Sequence, residues 1–231
     1  MAQVLLIPAN LEENALDTIP AAVVTHILSC QVFFAENERT TRRYFKQLHK
    51  AIVIDDYEWF TMDDPEQARI QFRQKIKEGK TIGIVSEAGC PGIADPGQQL
   101  IAVAQEMNVP VKPLTGPSSI LLALMASGMN GQHFSFHGYL PIEQAQRMKA
   151  LKELEQQSAR TKCTQIFIET PYRNNQLVEA ILKTCQPGTR LCIAAGLTGS
   201  AEWVKTKTIA AWKKEIPGLH KRPVIFLLQA G

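Results

Sequence analysis

Acids and glycines crowd the segment from Ile82 to Gly97, IGIVSEAGCPGIADPG, and that mixture of residue types suits recognition of a small ligand. Glu87 and Asp95 offer hydrogen-bond acceptors, Gly89, Gly92 and Gly97 let the backbone approach a bound molecule closely, and Pro91 and Pro96 stiffen the turns between them. The apolar run Ile82, Ile84, Val85 just before them reads as a buried central strand of a parallel sheet. Ligands of open α/β sheets bind in the crevice outside the strand ends, so this loop predicts a ligand site. A purely structural connection is the competing reading, because Gly/Pro density alone marks any loop.

A second polar cluster lies in AENERTTRRYFKQL. Glu36, Asn37 and Glu38 fall where a strand meets its helix, and Arg39, Arg42, Arg43 and Lys46 follow at spacings that share one helical face. Such a stripe can hold phosphates beside an acid-bearing site. It is equally the sequence of a solvated helix face, and acids followed by bases also suit a helix dipole. Further along, IFIETPYRN places Glu169, Thr170 and Arg173 at another strand end, where an acid and an arginine also make an ordinary ion pair. AAGLTG, from Ala194 to Gly199, ends a strand in small residues that permit close ligand approach or close packing.

The elements that must position these groups alternate. Strands are predicted at Val4 to Ile7, Phe33 to Ala35, Ala51 to Ile54, Thr81 to Val85 and Val109 to Leu114. Helical patterns separate them at Ala15 to Leu28, Thr40 to Lys50, Pro65 to Gly79 and Gln98 to Met107. In the GPSS segment Pro117 suits a first helical position, Ile120 to Ala126 gives the apolar body and Gly128 the end. A second series follows, with strands at Phe134 to Gly138, Gln165 to Glu169, Arg190 to Ala194 and Val224 to Gln229, and helices at Ile142 to Ala159 and Asn175 to Lys183. The expected fold class is α/β, in two α/β domains: residues 1–116 with a largely parallel sheet and residues 117–231 with a mixed one.

Composition excludes several classes. Lys and Arg number 25 against 22 Asp and Glu, so any basic signal must be local. Five cysteines without a CxxC pair argue against a disulfide framework, and neither they nor the five histidines show metal-ligand spacing, so no metal is expected. The amino terminus has no basic n-region and its apolar run is too short for a signal peptide, and no stretch approaches a membrane span. A cytoplasmic protein that does not engage membranes is expected. Strand one ends in IPANLEEN with no glycine, against a dinucleotide-binding or class I methyltransferase turn, and no P-loop, GxSxG or HExxH is present.

Taken in order, SEAGCPGIADPG, LTGPSS, FHGYLP, IETPYR and AAGLTG resemble the tetrapyrrole methylase family of class III S-adenosyl-L-methionine-dependent methyltransferases. Within it they look closest to the branch of ribosomal RNA small-subunit methyltransferases that modify a ribose 2'-hydroxyl. The resemblance implies a cofactor cleft between two α/β domains, a homodimer, and S-adenosyl-L-methionine as cofactor. By motif, Glu87, Ala88, Gly89, Cys90, Gly116, Pro117, Ser118 and Ser119 would line that cofactor, with Pro8 from the first loop and Thr170, Leu197 and Pro223 from the second domain.

The chain also departs from that branch. A usual Gly-Asn-Leu turn reads Ala9-Asn10-Leu11, the usual Glu-Asp-Thr-Arg motif reads Glu36-Asn37-Glu38-Arg39, and the chain stops where the branch often continues into a small extension. On this resemblance Glu36 is the expected base for a hydroxyl acceptor, Asn10 and Asn37 orient the acceptor, and Arg39 holds a neighbouring phosphate or tunes the acid. Ribosomal RNA is the expected partner through Arg39, Arg42, Arg43 and Lys46. A methyltransferase acting on a tetrapyrrole-like small molecule and a non-catalytic cofactor-binding module stand as alternatives.

Overall fold

The computed structural model describes residues 1–231. The chain divides into two compact units, Met1–Ser118 and Ser119–Gly231. Each is an α/β layer structure with its own sheet.

In the first unit the elements alternate as β1 (Gln3–Ile7), α1 (Ala22–Ser29), β2 (Val32–Ala35), α2 (Glu38–Leu48), β3 (Glu58–Thr61), α3 (Pro65–Lys77), β4 (Thr81–Val85), α4 (Gly97–Glu106) and β5 (Val111–Pro113). The strands pair in the order β3-β2-β4-β1-β5 and every pairing is parallel. Successive side chains of a strand face opposite sides, and β2 shows it: Phe34 meets Phe60 and Phe72 on one face, while Phe33 meets Phe45, Tyr57 and Trp59 on the other. Two cores result, one under α3 and α4 and one under α1 and α2. Both faces being covered explains the unbroken apolar run of β4. Asp64 opens α3 by accepting from the Glu66 and Gln67 N–H groups, with Pro65 at the first helical position.

The second unit contains α5 (Ser119–Ser127), β6 (Phe134–Tyr139), α6 (Gln144–Thr161), β7 (Thr164–Ile168), α7 (Asn174–Thr184), β8 (Arg190–Ala195), β9 (Trp203–Thr208), α8 (Ile209–Trp212) and β10 (Val224–Gln229). Its sheet runs β6-β7-β10-β8-β9, with β6 and β7 parallel and the remaining pairs antiparallel. The fold class is therefore two α/β units, one parallel and one mixed. No helix is long and apolar enough to cross a membrane.

Several expected elements are corrected. Ala51 to Ile54 forms no strand; Ile52 is buried as an anchor and a 3-10 turn covers Ile54–Asp56. The edge strand lies later, at Glu58–Thr61, where pairing with β2 (Val32↔Glu58 to Ala35↔Thr61) decided what a short apolar run could not. The Ala15 to Leu28 pattern splits into a 3-10 turn at Leu16–Thr18 and α1, around Pro20. Pro117 does not open α5, which starts at Ser119. The strand β9, with its alternating lysines, was not expected at all.

Candidate active site

Four adjacent strands of the first unit, β2, β4, β1 and β5, deliver their carboxyl-end loops to one edge of the sheet. The loop after β1 and the glycine-rich loop after β4 are stitched as a two-residue antiparallel bridge: Ala9 N–H donates to Gly89 O at 2.9 Å and Gly89 N–H to Ala9 O at 3.0 Å. Gly89 sits at φ +74°, a left-handed conformation that glycine adopts without steric cost. The loop after β5 closes on the same place, because Gly116 lies against the ring of Pro8, where an added Cβ would come within 2.1 Å of the proline. Cys90 Sγ reaches the Pro117 carbonyl at 3.5 Å, and burial pushes its thiol up, so it packs as a neutral group. Asp95 knits the remainder of the β4 loop by accepting from the Gly92 and Gly97 N–H groups, each at 2.7 Å. Pro8, Ala88 to Cys90, and Gly116 to Pro117 thus converge on one strand-end surface, and Ser118 and Ser119 follow into α5.

Glu36, just past β2, is tied to this surface. Its Oε2 accepts from the Glu87 N–H at 2.9 Å. Partial burial raises its carboxyl above the ordinary glutamate range; the Glu87 hydrogen bond opposes the rise, and the charges of Asp95 and Glu87 add to it. Glu87 itself is exposed and accepts from Thr40 Oγ1 at 3.2 Å.

The helix α2 frames the other wall. Asn37 is its N-cap, accepting from Thr40 N–H at 3.2 Å. Two residues that sequence reading passed over join it: Thr40, bonded to Glu87, and Tyr44, whose buried hydroxyl donates to the Pro8 carbonyl at 2.7 Å. Their four-residue spacing marks one helix face, but only as core. Between α2 and the two loops lies a cavity of about 270 Å³ bordered by Asn10, Thr40, Arg43, Tyr44, Gln47 and Glu87. The Asn10 side-chain amide donates to the Glu12 carbonyl at 2.5 Å, which fixes its orientation beside that space.

The cationic stripe is not uniform. Arg42 pairs with Glu38 at 2.6 Å and lies over the Trp59 ring at 5.1 Å, a structural role. Arg39, Arg43 and Lys46 are exposed. Only Arg43 borders the cavity.

In the second unit the carboxyl ends of β7 and β8 and the start of β10 share one end of the sheet. Thr170, Leu197 and Pro223 gather there, and the Gly196 N–H donates to the Pro223 carbonyl at 2.9 Å. Glu169 is buried, accepting from Thr170 N–H at 2.6 Å and from Arg173 Nη2 at 2.7 Å. The Glu169 and Arg173 pair is thus the ion pair that sequence allowed.

The family described as Tetrapyrrole (Corrin/Porphyrin) Methylases matches residues 15–212, well over half of the chain. The chain belongs to the tetrapyrrole methylase family. Among curated members, the ribosomal RNA small subunit methyltransferase I of Buchnera aphidicola subsp. Schizaphis graminum is 32% identical over 160 residues, 68% of this chain and 55% of that protein. The protein of the same name from Vibrio cholerae is 32% identical over 170 residues, 72% of this chain and 58% of its own length. That of Buchnera aphidicola subsp. Acyrthosiphon pisum is 30% identical over 203 residues, 85% of this chain and 68% of its own length. In the first matches the chain spans about half the length of the curated relatives. Among solved structures, the methyltransferase CobJ superposes with a TM-score of 0.66 at 15% identity, covering 100% of this chain and 94% of that one. The uroporphyrin-III-C-methyltransferase of Thermus thermophilus gives 0.55 at 15% identity, covering 98% and 91%. At these identities the tetrapyrrole methylase likeness to solved structures shows the fold alone.

Proposed function

We propose that this chain is an S-adenosyl-L-methionine-dependent methyltransferase that modifies a ribose 2'-hydroxyl of ribosomal RNA. The observation that carries the reading is Glu36: a carboxylate of raised proton affinity, anchored through Oε2 to the loop expected to hold the cofactor, with Oε1 left to take a proton. The names of the relatives supply the acceptor class.

The residues of the first unit suit such a cofactor. Gly116 lets the β5 loop close against Pro8 and Gly89 lets the β4 loop bridge to Ala9, so the three loops present one joined surface, and the exposed Glu87 carboxylate suits the hydroxyls or amine of a nucleoside. When bound, the cofactor supplies an activated methyl group on a good leaving thioether. The chain's own task is alignment, which contributes about 7–11 kcal/mol in favourable cases, and proton removal. Glu36 Oε1 accepts the hydroxyl proton and the Glu87 N–H holds Oε2, while Asn10, which borders the 270 Å³ cavity, orients the acceptor together with the side-chain N–H₂ of Asn37. Arg39, Arg43 and Lys46 attract the flanking phosphates. Thr170, Leu197 and Pro223 are proposed as the second unit's contribution to cofactor binding. A homodimeric, cytoplasmic enzyme completes this reading.

Calorimetric titration of S-adenosyl-L-methionine and its demethylated product, followed by methyl transfer to small ribosomal subunits, tests it. Micromolar binding and transfer to RNA support the proposal. Transfer only to a small tetrapyrrole-like acceptor replaces RNA with that acceptor, and binding without any transfer leaves a non-catalytic module.

A further inference from the structure

The chain's net positive charge is concentrated in one short stretch. Residues 202–222 carry six Lys and Arg against two Asp and Glu, which leaves 19 against 20 for the rest of the chain. This stretch begins with β9, an edge strand paired only to β8. Trp203, Lys205 and Lys207 alternate along one face of it. With Trp212 from α8, Glu215 and the turn Ile216, Pro217, Gly218 they border a groove of about 420 Å³.

The chemistry of the groove is mixed in a particular way. Trp212 is buried and held in place, its indole N–H donating to the Leu191 carbonyl at 2.8 Å, while Trp203 is half-buried. Ile216 leaves 56% of its surface exposed, so the opposite wall is apolar and open. Two cations border the groove: Lys205 is exposed with no ion pair, and Lys207, paired with Glu215 at 2.9 Å, lies over the Trp212 ring at 4.8 Å; Lys213 and Lys214, exposed with no ion pair, follow Trp212 directly in the chain. The groove also leads somewhere. Trp203 pairs with Ala195 at the end of the sheet where Thr170, Leu197 and Pro223 gather.

From these observations we infer that the β9 groove of the second unit is a docking track for single-stranded RNA. The half-buried Trp203, backed by the buried Trp212, and the exposed Ile216 offer apolar surface to the flat face of a base without regard to sequence, and the neighbouring cations take the phosphates. An uncharged or cationic partner has no use for unpaired Lys205, Lys213 and Lys214, and an acidic peptide uses the lysines but not the apolar face of Trp203, whereas a polyanion with planar bases uses both features at once. The inference rests on the RNA reading of the function, but it concerns a surface built by the second unit alone.

The test uses the full chain and a single-stranded RNA oligonucleotide of about 12 nucleotides, with binding followed by fluorescence anisotropy across a salt series. The triple variant Lys205→Ala, Lys213→Ala, Lys214→Ala removes exposed side chains outside the proposed site. It is expected to bind this RNA at least roughly tenfold more weakly at low salt, and to flatten the logarithmic salt slope by about 2, the amount expected for three lost phosphate contacts on a single strand. Trp203→Leu keeps an apolar side chain but removes the ring, and should weaken binding roughly fivefold or more with the slope unchanged. S-adenosyl-L-methionine affinity of the triple variant should equal that of the parent chain. Loss of cofactor binding in the parent chain itself would sink the methyltransferase reading while leaving the RNA arm readable. An unaltered RNA affinity and salt slope in the triple variant would overturn the docking track. So would equal binding of polyglutamate, which would make the groove an acidic-peptide site, or sedimentation showing that the triple variant abolishes self-association and nothing else.

Discussion

Glu36 Oε2 accepts the backbone N–H of Glu87 at 2.9 Å, which couples the end of β2 to the glycine-rich loop after β4. A single carboxylate is thereby both a strut of the loop proposed to hold the cofactor and the group proposed to take the acceptor's proton. The two roles separate on substitution. Glutamine can still accept the Glu87 N–H but cannot take a proton, so Glu36→Gln should lower turnover by about a hundredfold or more while cofactor affinity, read by calorimetry, stays within a few-fold. Parallel losses in both would assign Glu36 to structure alone.

The same group predicts a pH response. Burial raises its carboxyl in the folded chain, so the acidic limb of the kcat/KM profile should lie above the ordinary carboxylate range. The folded state binds this proton more tightly than the unfolded state. Its contribution to stability is therefore full below the unfolded value and disappears as pH rises through the folded one. Urea unfolding measured from about pH 4 to 7 should show that component in the parent chain and not in Glu36→Gln.

Gly89 is the hinge of the bridge to Ala9 and holds φ +74°. A valine there strains the backbone and places its Cβ 3.3 Å from Leu11 Cδ2 and 3.5 Å from the Pro117 carbonyl. Gly89→Val should abolish detectable S-adenosyl-L-methionine binding by calorimetry. Unchanged affinity would remove this loop from the cofactor site.

Gly116 makes a different demand, since it is the absence of a side chain that lets the β5 loop reach Pro8. Gly116→Ala should cost about 1–3 kcal/mol in denaturant unfolding, the usual range for overpacking, and weaken cofactor binding. Gly131→Ala, with nothing within 4 Å of the new Cβ, is the matched control and should leave cofactor affinity unchanged.

Tyr44 holds the first loop from below through the Pro8 carbonyl. In Tyr44→Phe that buried acceptor loses its donor, a loss of about 1–3 kcal/mol. Because Asn10 lies two residues beyond Pro8, kcat should fall more than cofactor affinity, a split that steady-state kinetics beside calorimetry will show. An equal fall in both would make Tyr44 a general support of the fold.

Most of the scaffold was legible because its signals are local. The apolar runs of β1, β2, β4 and β10 and the spacing of α2, α3 and α7 follow from periodicity within a few residues, and the glycine loop after β4 announces itself by composition. The strands at Glu58–Thr61 and Trp203–Thr208 were hidden because each is an edge strand whose exposed positions carry polar residues. Their identity rests on a neighbour, β2 or β8, not on their own pattern. The candidate site divides in the same way. Glu36, Glu87 and Gly89 could be nominated from type and position, since acids and glycines cluster at two predicted strand ends. Thr40 and Tyr44 could not, because a hydroxyl on a helix declares no partner until packing brings Glu87 or Pro8 to it across 47 or 36 residues of chain. Sequence determined which groups this protein owns and which secondary elements carry them. Only the order β3-β2-β4-β1-β5 decided that the loops after β1, β2, β4 and β5 meet, because hydrogen bonding between distant strands is a property of the folded sheet and of no segment within it.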